Sequence, residues 1–115
     1  MARDVLDKKV DLAFLSAFYG GALTEHQRRV LSLHCEEDLS FAEIAGETGT
    51  SRQSVHETVE RAAAKMEELE RTLGTAARFR RMETGLEHAL DALKRQEYTR
   101  AQELLEELLR LDVNE

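Results

Sequence analysis

Apolar positions recur along most of the chain at steps of three and four, the spacing of one helix face. Leu6, Val10, Ala13, Phe14, Ala17 and Phe18 predict a first helix over residues 4–18 with these side chains as its buried stripe. Gly20 and Gly21 stop it, since glycine accepts the left-handed conformation that closes many helices. Val30, Leu31 and Leu33 point inward from a second helix over 25–35. A short third helix covers 41–48 and ends at Gly49. Val55, Val59, Ala62, Met66, Leu69 and Leu73 then advance by 4, 3, 4, 3 and 4, a seam along a long fourth helix over 51–73. Two uses of that seam stay open: packing inside the monomer, or pairing of its distal half with a second copy. Residues 75–84 predict a short basic helix. Helices over 86–96 and 98–111 complete the chain, with Leu86, Ala89, Leu90 and Leu93 facing Ala101, Leu104, Leu105 and Leu108 in an antiparallel hairpin.

Capping chemistry punctuates the same pattern. Thr24 with Gln27 and Ser40 with Glu43 each read as a capping box, and Thr50 with Gln53 reads as a third. The expected fold is all-α. A helix-turn-helix domain occupies 1–82, and a C-terminal helical hairpin at 83–115 packs on it or on a partner.

Composition narrows the possible roles. The 115 residues carry 42% hydrophobic and 34% charged positions, enough for a core with solvated faces. No apolar run reaches membrane-spanning length and the first eleven residues lack a signal-peptide stretch, so a cytoplasmic protein without membrane insertion is expected. The lone Cys35 fits a reducing compartment, as a core or boundary thiol. His26, His34, His56 and His88 lie on separate elements with no ligand spacing, so neither metal nor cofactor is expected. No nucleophile–base pair or phosphate loop is present, and the expectation is a protein that is not an enzyme. The net charge of −7 is uneven: residues 24–73 hold six basic and eleven acidic groups, whereas 74–82 hold three arginines and no acid. Such a chain has little generic affinity for polyanions, because phosphate neutralisation supplies most non-specific binding.

The segment FAEIAGETGTSRQSVHETVERA (41–62) carries the most chemistry. Ile44 and Ala45 sit where two helices meet, Gly49 turns the chain, and Val55 and Val59 pin the second helix. That leaves Ser51, Arg52, Gln53, Ser54, His56 and Glu57 at the exposed start of a reading helix. Arg52 can pair with guanine and Gln53 with adenine, Ser51 at a helix N-terminus suits a phosphate, and Arg28 and Arg29 could meet the backbone. Glu57 and Glu60 place negative charge on that same helix. Arg71, Arg78, Arg80 and Arg81 form a secondary basic patch. It reads either as a solvated face paired with nearby glutamates or as a contact for RNA, DNA or an acidic partner.

Residues 24–73 are similar to region 4 of sigma factors, which reads the −35 promoter element. The stretch AFLSAFYGGALTEHQRRVLSLHCEEDLSFAEIAGETGTSRQSV, with Phe18-Tyr19 and the run LSFAEIAGETGTSRQSV, resembles the YlxM-like family of helix-turn-helix proteins over roughly residues 10–82. Members are typically encoded beside the signal recognition particle GTPase. The resemblance implies a regulatory or accessory role in co-translational targeting, with the particle's protein or RNA as partner. Two other roles stand beside it: a DNA-binding transcriptional regulator using residues 51–57, and a structural adaptor using the hairpin at 86–111. Apolar surface left over on the long helix and the hairpin predicts a homodimer.

Overall fold

The computed structural model describes the backbone of residues 2–114 and the side-chain environments of residues 8–110. Six α-helices follow one another: α1 Ala2–Tyr19, α2 Glu25–Cys35, α3 Phe41–Thr48, α4 Arg52–Leu73, α5 Thr75–Lys94 and α6 Tyr98–Asn114. A single 3-10 turn, Gly20–Ala22, joins α1 to α2, and the described residues contain no strand. The chain divides into two compact units, Met1–Ala76 and Ala77–Glu115.

Local chemistry explains most boundaries of the first unit. Thr24 and Ser40 close reciprocal capping boxes with Gln27 and Glu43, satisfying the first amides of α2 and α3. α3 ends at Gly49, held at φ 69°, where a side chain would strain the left-handed backbone. The amides of Gly49 and Thr50 both return to the Ala45 carbonyl, the latter at 3.1 Å. This closure commits Thr50 to the end of α3. The cap of α4 therefore falls on Ser51, whose hydroxyl accepts the Ser54 amide at 3.0 Å, and the expected Thr50–Gln53 box does not form. α1 also ends differently from expectation. Its chain tightens into a 3-10 turn instead of a left-handed cap, with Leu23 N–H donating to the Gly20 carbonyl at 3.1 Å.

The core of the first unit is one cluster of Tyr19, Leu23, Val30, Leu31, Ile44, Val55, Val59, Ala62 and Met66. The α4 seam is consumed here: Met66 is fully buried, Leu69 packs on the cluster, and Leu73 alone is half exposed. The internal reading of the seam holds. α1 keeps Phe18 of the expected stripe and otherwise corrects it, because it docks through Leu12, Leu15 and Tyr19 as well. Val10, Ala13 and Ala17 face solvent, and Val10 is 55% exposed. Both candidate faces of α1 are apolar, so periodicity could not choose between them; packing against α2 and α4 did. Leu6 lies outside the residues whose side chains are described.

The second unit is a helix pair. α5 is continuous from Thr75 to Lys94, so the basic segment 75–84 and the helix expected at 86–96 are one element, with Gly85 inside it. A Cβ at Gly85 would stand 2.4 Å from Leu108 Cδ2, so glycine is here for close approach and not for a turn. Ala89, Ala92, Ala101 and Leu104 form the buried contact between the helices. Ala89, Ala101, Leu104 and Leu108 face the partner helix as expected, and Leu86, Leu90, Leu93 and Leu105 do not. Leu86, Leu90, Leu93 and Leu105 are exposed, because the contact is made by the face that carries Gly85, Ala89 and Ala92 on α5 and Ala101, Leu104 and Leu108 on α6. α5 ends at Lys94, and two residues on Gln96 takes the left-handed conformation, with Glu97 N–H donating to the Ala92 carbonyl at 2.9 Å.

Candidate helix-turn-helix interface

α3, the Gly49 turn and α4 make the helix-turn-helix. Ile44, fully buried, and Val55 and Val59 fix the two helices against α2, which leaves the first turns of α4 to solvent. The turn is stiffened by its threonines. Thr48 Oγ1 donates to the Ile44 carbonyl at 3.0 Å and lies 2.8 Å from Thr50 Oγ1.

The candidate reading residues then divide. Arg52 and Gln53 are exposed on the first turn of α4 and line a shallow recess with Phe41, His56 and Glu57. Ser51 is engaged as the helix cap, and Ser54 is half-buried with its carbonyl accepting the Thr58 hydroxyl at 2.9 Å. His56 stands edge-on to Phe41, with centroids 5.5 Å apart, and lies 3.5 Å from Glu60. Its ring is oriented by these neighbours. Glu43 and Glu47 of α3 and Glu57 and Glu60 of α4 are all exposed.

Of the two arginines expected at phosphates, Arg29 is exposed. Arg28 turns back onto its own fold: Nη1 donates to the Leu23 carbonyl at 2.6 Å and to the Gly20 carbonyl at 3.3 Å. It fastens the turn after α1 to α2. Arg28→Met should therefore cost about 1.5–3 kcal/mol of stability in urea unfolding, the worth of a part-buried hydrogen bond to a charged donor. Its affinity for random duplex DNA should not move. An unchanged unfolding midpoint with a flattened salt dependence would return Arg28 to the phosphates.

The secondary basic patch is described unit by unit. In the first unit Arg71 pairs with Glu68 one turn back. In the second, Arg78 is half-buried, and Arg80 and Arg81 are exposed along a groove of about 660 Å³ that His88, Glu107 and Arg110 also line.

Sequence reasoning missed a wider cleft of about 890 Å³ behind the reading helix, lined by Lys9, His34, Asp38, Phe41, His56 and Glu60 among others. Its residues come from α1, α2, the α2–α3 loop, α3 and α4, so no spacing in the chain announces it. Lys9 donates to Asp38, and this hydrogen bond, reinforced by the ammonium charge, holds the Asp38 carboxyl below the usual carboxylate range. The His34 ring lies tilted against Phe41, with centroids 5.0 Å apart. Burial pushes the His34 pKa below its ordinary value, outweighing the opposing contact of Nδ1 with the Leu39 carbonyl. Burial likewise pushes the Cys35 thiol up, which keeps it protonated and a poor nucleophile. No group of three or more possible metal ligands converges among the described residues. No helix there is long and apolar enough to cross a membrane.

A short helix, a left-handed glycine turn and a second helix with its first turns bare define a helix-turn-helix protein. The profile of the UPF0122 family, described as "Putative helix-turn-helix protein, YlxM / p13 like", matches residues 6–108. The chain belongs to that family. It is 36% identical over 111 residues to the UPF0122 protein of Halalkalibacterium halodurans, covering 96% of this chain and all of that one. The UPF0122 protein of Symbiobacterium thermophilum is 39% identical over 94 residues, 82% of this chain and 88% of its own. That of Clostridium kluyveri is 46% identical over 56 residues, 49% of this chain and 50% of its own.

Proposed function

We propose that this chain is a non-enzymatic regulatory or accessory protein of the signal recognition particle pathway, acting in the cytoplasm. Its helix-turn-helix face docks on the particle's protein or RNA. The observation that carries this reading is the charge around α4. Glu57 lines the recess with Arg52 and Gln53, Glu43, Glu47 and Glu60 are exposed on the same two helices, and Arg28 is engaged by backbone carbonyls. Duplex DNA presents about one negative charge per 1.7 Å of axis, and a reading helix must be carried into its groove by cations. Here acids crowd that approach. The likeness to proteins encoded beside the particle's GTPase supplies the direction of the partner.

One observation favours a second reading, a DNA-binding transcriptional regulator. Arg52 and Gln53, two residue types suited to guanine and adenine, stand bare at the start of α4. A pulldown from cell extract, run with and without nuclease, separates the readings. Recovery of the particle's protein or RNA supports the first. Recovery of DNA fragments alone, lost on DNase treatment, supports the second.

A further inference from the structure

The second unit has a one-sided apolar surface. Met82, Leu86, Leu90 and Leu93 of α5 and Tyr98, Leu105 and Leu109 of α6 are between 38% and 73% exposed. At 100° per residue the four α5 side chains fall within an arc of about 80°, and the three α6 side chains within about 40°. Both arcs lie roughly a quarter-turn from the Ala89–Ala92 and Ala101–Leu104 contact. Gly85 meets Leu108 while Ala89 and Ala92 share a cluster with Leu104 and Ala101, so the two helices run antiparallel. In that arrangement the two arcs open on the same side. The pair therefore presents one continuous apolar face.

We infer that this face is buried against the same face of a second copy of the chain, forming a four-helix bundle about a two-fold axis. Three features select a second copy. The seven side chains, each offering about half of the roughly 200 Å² a large side chain carries, expose roughly 700 Å², close to the ~800 Å² per partner of a stable interface. Their steps of 4, 4 and 3 along α5 and 7 and 4 along α6 are those of bundle cores, which pair like with like in isologous contacts. Charge permits the approach: residues 77–115 carry seven Lys and Arg against nine Asp and Glu, while residues 1–76 carry nine against fourteen. The chain's acidity sits in the first unit, and the second is close to neutral toward its own copy.

Sedimentation equilibrium of the full chain at tens of micromolar should give twice the 13.1 kDa chain mass. Leu90→Glu should weaken self-association at least ~10-fold while circular dichroism keeps its helical signal, because a charge would enter a dry face. Val10→Glu, on the exposed side of α1, should stay dimeric. A wild-type monomer at that concentration overturns the inference, and so does burial of the face against the first unit, which leaves a monomer. A folded Leu90→Glu variant that stays dimeric overturns it as well. Should that variant unfold, amide exchange of the wild type at low and high concentration decides. Slowing confined to α5 and α6 supports the bundle, and slowing in α1–α4 contradicts it.

Discussion

Truncation of Ile44 to alanine should lower the unfolding free energy by about 3 kcal/mol, within the range measured for cavities left by buried aliphatic side chains. Ile44 is fully buried at the centre of the first unit's cluster, where it joins α3 to Val30 and Leu31 of α2 and to Val55 and Val59 of α4. Those neighbours sit on two longer helices and cannot all relax into the space. α3 has eight residues, about two turns, too few to persist as a helix without its packing. Part of the loss should therefore appear as local opening of the helix-turn-helix. Urea unfolding gives the magnitude, and amide exchange shows whether α3 opens first. Ile44→Val, which removes one methyl, should cost about 1 kcal/mol. A loss under half a kilocalorie for Ile44→Ala would mean that Ile44 does not hold α3 in place.

Tyr19→Phe should cost about 2 kcal/mol although it removes a single oxygen. Tyr19 is buried at the end of α1. Its hydroxyl donates to the Glu70 carboxylate of α4 and accepts the Thr75 amide at 3.2 Å. The same carboxylate accepts the Ala76 amide at 3.0 Å. The first amides of a helix have no partner within it, and here a tyrosine and a glutamate supply two of them at the start of α5. Removing the hydroxyl strands the Thr75 amide and takes one donor from Glu70. Faster exchange at Thr75 and Ala76, with the rest of the core unchanged, is the expected signature. Glu70→Gln in both backgrounds should give a coupling energy, since both residues serve one helix start. Additive losses would show that the two act independently.

These two residues also mark the limit of reading a chain of this kind. The boundaries at Thr24 and Ser40 were legible because a capping box is written within four residues. Ser51 was missed by one position, because the closure of α3 onto Ala45 takes Thr50 first. Part of the α1 stripe and Leu86, Leu90, Leu93 and Leu105 of the hairpin were misplaced for a shared reason: each element carries apolar residues on more than one face, and packing against its neighbours decides which face is used. Tyr19 meets Glu70 across 51 positions, a pairing that no periodicity marks. At the reading helix, Arg52 and Gln53 stand exposed as expected. Arg28 and His56 were identified as polar residues free to bind, and their engagement with Gly20, Leu23, Phe41 and Glu60 depends on tertiary neighbours.

The most direct test of the proposed role compares two affinities near physiological salt: one for random duplex DNA and one for the reconstituted signal recognition particle. The account predicts measurable binding to the particle, or to its protein or RNA alone. It also predicts weak or undetectable binding to the duplex, unchanged by Arg52→Ala. Tight, salt-sensitive duplex binding that loses about 1–3 kcal/mol on Arg52→Ala, with none to the particle, would contradict it and make this chain a DNA reader.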